Sequence, residues 1–293
     1  MISGSTTYDI SQILDRAFEQ YQHAGDLLKK IGSVIARQRQ LAQDAPLAPL
    51  NNLRIDKEKL KSGVSVIQQI SLLGDREDLK HITLVLAKVV KEVLPDLGED
   101  LDHLSELIQK GRLVPSDYFK PSAKGAGDMA EVWGNKLKVS PSNAAFIMSL
   151  VSRVVLEQRA KEVRQALGAF EWEKGYCPIC GNYPSIALIE EEGGKRFLYC
   201  SACGQNWRYT RVVCPYCEKE ASKGMDYFYI ENKTQESAFV CDECNKYLVT
   251  LYRAGNLFAR DMDVSAIGLI HLDILMQDKG YEPMTACVWN VLK

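Results

Sequence analysis

Eight of the nine cysteines in this 293-residue chain fall within 68 residues, always as C-x-x-C pairs. The pairs are Cys177/Cys180, Cys200/Cys203, Cys214/Cys217 and Cys241/Cys244. A C-x-x-C turn sets two sulfurs about one tetrahedral edge apart, and a hairpin joining two such turns supplies four thiolates to one ion. Nineteen residues lie between Cys180 and Cys200 and 23 between Cys217 and Cys241, room for a β-hairpin in each case. The ten residues between Cys203 and Cys214 suit a connector. Sequential pairing is therefore expected: Cys177, Cys180, Cys200 and Cys203 as one metal site, Cys214, Cys217, Cys241 and Cys244 as a second. Interleaved pairing is the alternative.

Metal is preferred over disulfides because the reading places the chain in a reducing compartment. The start, "MISGSTTYDISQILDR", lacks the basic and apolar regions of a signal peptide. No apolar run approaches the ~18 residues of a transmembrane helix, so a cytoplasmic protein without membrane insertion is expected. The net charge of −2 gives no general attraction to nucleic acid or anionic membrane.

The cysteines also divide the chain. Residues 1–170 contain none and read as successive helices, over about 8–22, 25–43, 77–94 and 142–167. Ile82, Val85, Leu86, Val89, Val90 and Val93 repeat at helical spacing until Pro95, and Ile147, Leu150, Val151, Val154 and Val155 form another inward stripe. Ser140-Pro141-Ser142 marks the start of that last helix. "DAPLAPLNN" (44–52) and "KPSAKGAGD" (120–128) read as linkers. After Trp172 come strand-like segments: "SIALIEE", "KRFLYC", "NWRYTRVVC", "MDYFYIEN" and "SAFVC", with "EEGG" turning between the first two. A closing helix is expected over 263–279, capped by Asp263 and buried through Leu269, Leu272, Ile274 and Leu275. The expected fold is α+β and multidomain: a helical domain (1–170), a first rubredoxin-like or zinc-ribbon module (171–212), and a second with the C-terminal helix (213–293).

Histidine does not compete for the ligand roles, since His23, His81, His103 and His271 all fall in segments read as helical. Cys287 stands alone and reads as a small buried apolar residue, with a reactive thiol as the lesser reading. Tetrahedral thiolate sets suit zinc and iron alike. Gly181 and Gly204 follow the second cysteine of both first-site turns, where positive φ lets backbone N–H groups face sulfur; this leans slightly to iron. The metals serve at least to staple modules with little core of their own.

The ordered run "CPICG…LYCSACGQNWRYTRVVCPYCE…CDECNKYL" resembles the formate dehydrogenase accessory protein family (FdhE-like). The likeness continues more weakly through Leu272, Asp273, Gly280, Tyr281 and Pro283, while the tail "MTACVWNVLK" departs from the family's Pro-Asn ending. The resemblance implies two rubredoxin-like modules behind a helical domain, with the eight paired cysteines as ligands and iron as the metal. It also implies an accessory factor rather than an enzyme, one that contacts the catalytic subunit of a formate dehydrogenase. Two other classes fit parts of the pattern. One is a rubredoxin-type electron carrier. The other is a zinc-ribbon nucleic-acid binder stacking bases on Trp207 and Tyr209 beside Arg208 and Arg211. Residues 171–260 carry 11 Lys and Arg against 12 Asp and Glu, which disfavours phosphate binding; a half-buried strand is the preferred reading of "NWRYTR".

Overall fold

The computed structural model describes residues 9–44, 47–50, 53–72, 79–119, 134, 138–220, 225–231, 233–252 and 260–291. The linker expected at 120–128 lies outside them. The N-terminal half is helical: α1 (Ile10–Gln20), α2 (Gly25–Asp44), the short α3 (Lys57–Lys61) and α4 (Val66–Gln69), α5 (Leu79–Val93), α6 (Gly98–Gln109) and α7 (Pro141–Leu167). Asp9 caps α1 by accepting from the Ser11 amide, and Pro141 occupies the first turn of α7, where its missing N–H costs nothing. The inward stripes of α5, α6 and α7 meet α2 in a mainly helical apolar cluster containing Leu86, Val90, Leu104, Ile147 and Val151.

The second half is built by repetition. A cysteine turn, two antiparallel strands, a second cysteine turn and a third strand follow one another twice. The first set holds β1 (Ile186–Ile189), β2 (Arg196–Tyr199) and β3 (Asn206–Tyr209). The second holds β4 (Met225–Tyr229), β5 (Glu236–Cys241) and β6 (Lys246–Tyr252). The units do not stand apart. β1 pairs in parallel with β6, Leu188 opposite Leu251, giving one sheet in the order β3-β2-β1-β6-β5-β4, with β7 (Glu282–Pro283) beside β6.

Both faces of the sheet are covered, which is why β1 is apolar throughout and the interior of β6 is buried on both sides. Ile186, Leu188, Val240 and Val249 pack on one face with α1, α2 and the C-terminal helices α8 (Met262–Gly268) and α9 (Ile270–Asp278). Ala187, Leu198, Phe239 and Leu248 face the other way with the cysteines, α3, α4 and the end of α7. Two apolar clusters thus run through both halves of the chain.

The closing segment corrects three expectations. The helix is two helices, broken at Leu269 after Gly268. Its N-cap is Asp261, which accepts from the Asp263 and Val264 amides. Asp263 is instead buried, its Oδ2 accepting from Arg39 (2.6 Å), Arg153 (3.0 Å) and the Tyr199 hydroxyl (3.0 Å). Ile274 points outward, 55% exposed, while Leu269 and Leu272 are buried as expected.

Candidate metal centres

Three of the four cysteine turns are closed by a backbone hydrogen bond. The Gly181 amide donates to the Cys177 carbonyl, Gly204 to Cys200 and Glu218 to Cys214, at 2.8–3.0 Å. The residue after the second cysteine takes positive φ in all four turns: Gly181 (77°), Gly204 (71°), Glu218 (58°) and Asn245 (55°). Glycine adopts this freely, whereas Glu and Asn are held there at some cost. Glu218 is held by Lys174 at 3.1 Å, and Asn245 by its Nδ2 donating to the Gly280 carbonyl at 2.7 Å.

The turns meet in the order expected. Cys177, Cys180, Cys200 and Cys203 form one group and Cys214, Cys217, Cys241 and Cys244 the other, the sulfurs of each lying within 4.8 Å of one another. Across the first site, Cys177–Cys203 and Cys180–Cys200 sulfurs are 3.5 and 3.4 Å apart. Across the second, Cys214–Cys244 and Cys217–Cys241 are both 3.8 Å apart. Metal–sulfur bonds of about 2.3 Å give a tetrahedral edge of about 3.8 Å, so the second group has the size of a filled site and the first is slightly tighter.

The surroundings divide the thiols, lowering Cys200 and Cys217 and raising Cys177, Cys203 and Cys214. Cys200, pulled down by its three partner thiols, also accepts from the Ala202 amide. Burial pushes Cys177 and Cys203 up. In the second site burial raises Cys214 to about 12, against the amides of Cys217 and Tyr216. Cys217, against the same burial, is lowered by the Lys219 amide and its partner thiols. Four thiols at this density cannot all ionise alone; a cation resolves the conflict and releases their protons. Each group can therefore hold one metal ion. Three first-site cysteines are buried, while Cys217 and Cys244 leave the second site more open.

Several residues that support these centres carry no motif. Arg164 bonds Gln205 Oε1 at 3.0 Å and faces Cys203 and Cys177, though burial lowers its pKa overall. Arg196, 2% exposed, lies over the Tyr209 and Phe239 rings, with Nη2 donating to the Val213 carbonyl at 2.8 Å. It ties the first unit to the connector leading into the second. Trp207 and Tyr209 are buried and Arg208 is exposed, so "NWRY" is a half-buried strand and presents no aromatic platform for bases. Cys287 is buried as expected, 3.2 Å from Ser201 Oγ, and burial pushes its thiol up. His81 and His103 lie on α5 and α6, and neither thiol group includes a histidine.

A helical bundle backed by a doubled zinc-ribbon-like sheet with two four-thiol centres defines a class of metal-site protein. The comparisons narrow it. Residues 176–211 match the family profile described as "FdhE, central domain". An FdhE homolog of Aquifex aeolicus is 33% identical over 210 residues, covering 69% of this chain and 66% of that protein. One from Stutzerimonas stutzeri is 29% identical, covering 84% of each. The crystal structure of the FdhE protein from Pseudomonas aeruginosa shares the fold, at TM-score 0.58 and 18% identity over 96% of this chain and 95% of that one. The chain belongs to the FdhE family.

Proposed function

We propose that this protein is a metal-holding accessory factor that binds the catalytic subunit of a formate dehydrogenase before that enzyme is mature. The observation that carries the reading is the pair of four-thiol centres, built in series on one sheet, in a chain of the FdhE family. The residues that would hold the metals are Cys177, Cys180, Cys200 and Cys203, and Cys214, Cys217, Cys241 and Cys244. Iron is the preferred ion, because the family resemblance points to it and because amide N–H groups donate to the sulfurs, an arrangement that tunes iron potentials. When bound, such an ion staples each unit and can accept or give one electron. Arg164 and Arg196 set positive charge and struts beside the sulfurs.

The proposed work takes place in the cytoplasm. Among the described residues, no helix is long and apolar enough to cross a membrane. Affinity capture of the full chain from cells growing on formate is the test, with formate dehydrogenase activity measured in a deletion strain. Recovery of a catalytic subunit and loss of activity on deletion are expected. Unchanged activity with no subunit recovered would overturn the reading.

A further inference from the structure

Away from the thiols, three metal-binding atoms converge where the N-terminal helices meet the C-terminal ones. His23 occupies a 3-10 turn between α1 and α2, Gly268 ends α8 and His271 lies on α9. His23 Nε2 is 2.9 Å from the Gly268 carbonyl oxygen and 2.8 Å from His271 Nδ1. The two rings stand edge to face at 88°. Behind them Glu236, on β5, places Oε2 3.5 Å from His271 Nε2, and neither atom has a hydrogen-bond partner.

Hydrogen bonding satisfies this arrangement only in part, since a single N–H on His23 Nε2 would serve two acceptors. A cation would take both nitrogen lone pairs and the carbonyl together. A carboxylate behind the second nitrogen of a ligating histidine is the usual device for fixing its tautomer and orientation.

We propose a third metal site, formed by His23 Nε2, His271 Nδ1 and the Gly268 carbonyl, with Glu236 as the outer carboxylate, for a divalent first-row transition ion. The spacing discriminates among ions. Bonds of about 2.0–2.1 Å span about 2.9 Å at a right angle and about 3.4 Å at the tetrahedral angle. Separations of 2.8 and 2.9 Å match the right angle, which six-coordinate or tetragonal Ni²⁺ adopts more readily than tetrahedral zinc. His23 is exposed, so an ion can enter and water can complete its shell. Lys233 lies 3.8 Å from Glu236 and shares its charge.

Nickel chloride titrated into the full, tag-free chain, with its thiol centres filled by zinc, tests the site. Calorimetry at pH 7.5 should show one further equivalent, without zinc release to a chromogenic chelator. His23→Ala and His23→Gln, both at an exposed position, should each abolish that uptake while keeping the circular dichroism spectrum and the zinc content. Glu236→Gln should keep the stoichiometry and weaken affinity about 10–100-fold. Nickel uptake equal in wild type and both His23 variants, uptake only with zinc loss, or none up to millimolar nickel would overturn the proposal.

Discussion

Asp273 is 2% exposed; burial raises its pKa to about 7, against hydrogen bonds from Tyr247 and Asn290. The Tyr247 hydroxyl donates to Oδ1 at 2.7 Å, and Gln277 links the same hydroxyl to the Asn290 carbonyl. Raised in the folded state, this group binds its proton more tightly there than when unfolded. Its contribution is fully present below the unfolded value of 3.8 and is lost as pH rises through about 7. His271, lowered to about 4, works oppositely, its contribution being present above 6.5 and lost as pH falls. Comparison with Asp273→Asn isolates the first effect. Urea unfolding of zinc-loaded protein between pH 5.5 and 7.5 should show wild type losing stability relative to the variant by up to about 1.4 kcal/mol per pH unit. Parallel pH profiles would refute it.

The same method separates two neighbours. Tyr209→Ala, in the core, should cost about 3 kcal/mol or more, and exposed Arg208→Ala within about 0.5 kcal/mol. Strand alternation made that contrast legible in the sequence. The role of Asp263 was not legible, because its partner Arg39 lies 224 positions away and local reasoning sees only a cap two residues too late.

Among the elements, the cysteine turns were legible because their geometry is local, fixed by three-residue spacing. β6 was not. Its segment, "KYLVTLY", follows the last cysteine turn directly, and its place beside β1 depends on a parallel pairing some sixty positions distant, with no local signature. The short α4, four residues long, has no legible periodicity either, and it bears on the first site. Its Val66 and Ile67 amides donate to the Pro178 and Ile179 carbonyls, both at 2.9 Å, so it clamps the first cysteine turn. Replacing Cys177 and Cys180 together by Ser should therefore loosen residues 53–72 along with the first ribbon. Limited proteolysis should cut there before it cuts α5 or α7. Early cleavage confined to 171–212 would show that the clamp does not depend on the turn.

For the whole molecule, the change of composition near residue 170 suggested separate units, and the division 1–170, 171–212 and 213–293 stands as a proposal. Packing adds a constraint, since two of the apolar clusters join helices to sheet and β1–β6 pairing joins the ribbons. The α+β class and the two four-thiol groups were legible because repeated spacing encodes them; the single continuous sheet was not, because only tertiary pairing creates it. The central claim is that each group holds one ion through sulfur alone. The most direct test is elemental analysis with X-ray absorption on anaerobically purified chain after a mild chelator wash, which strips an imidazole site. The account predicts two ions per chain, each with four sulfur neighbours at about 2.3 Å. One ion per chain, or nitrogen or oxygen in the retained ions' shells, would contradict it.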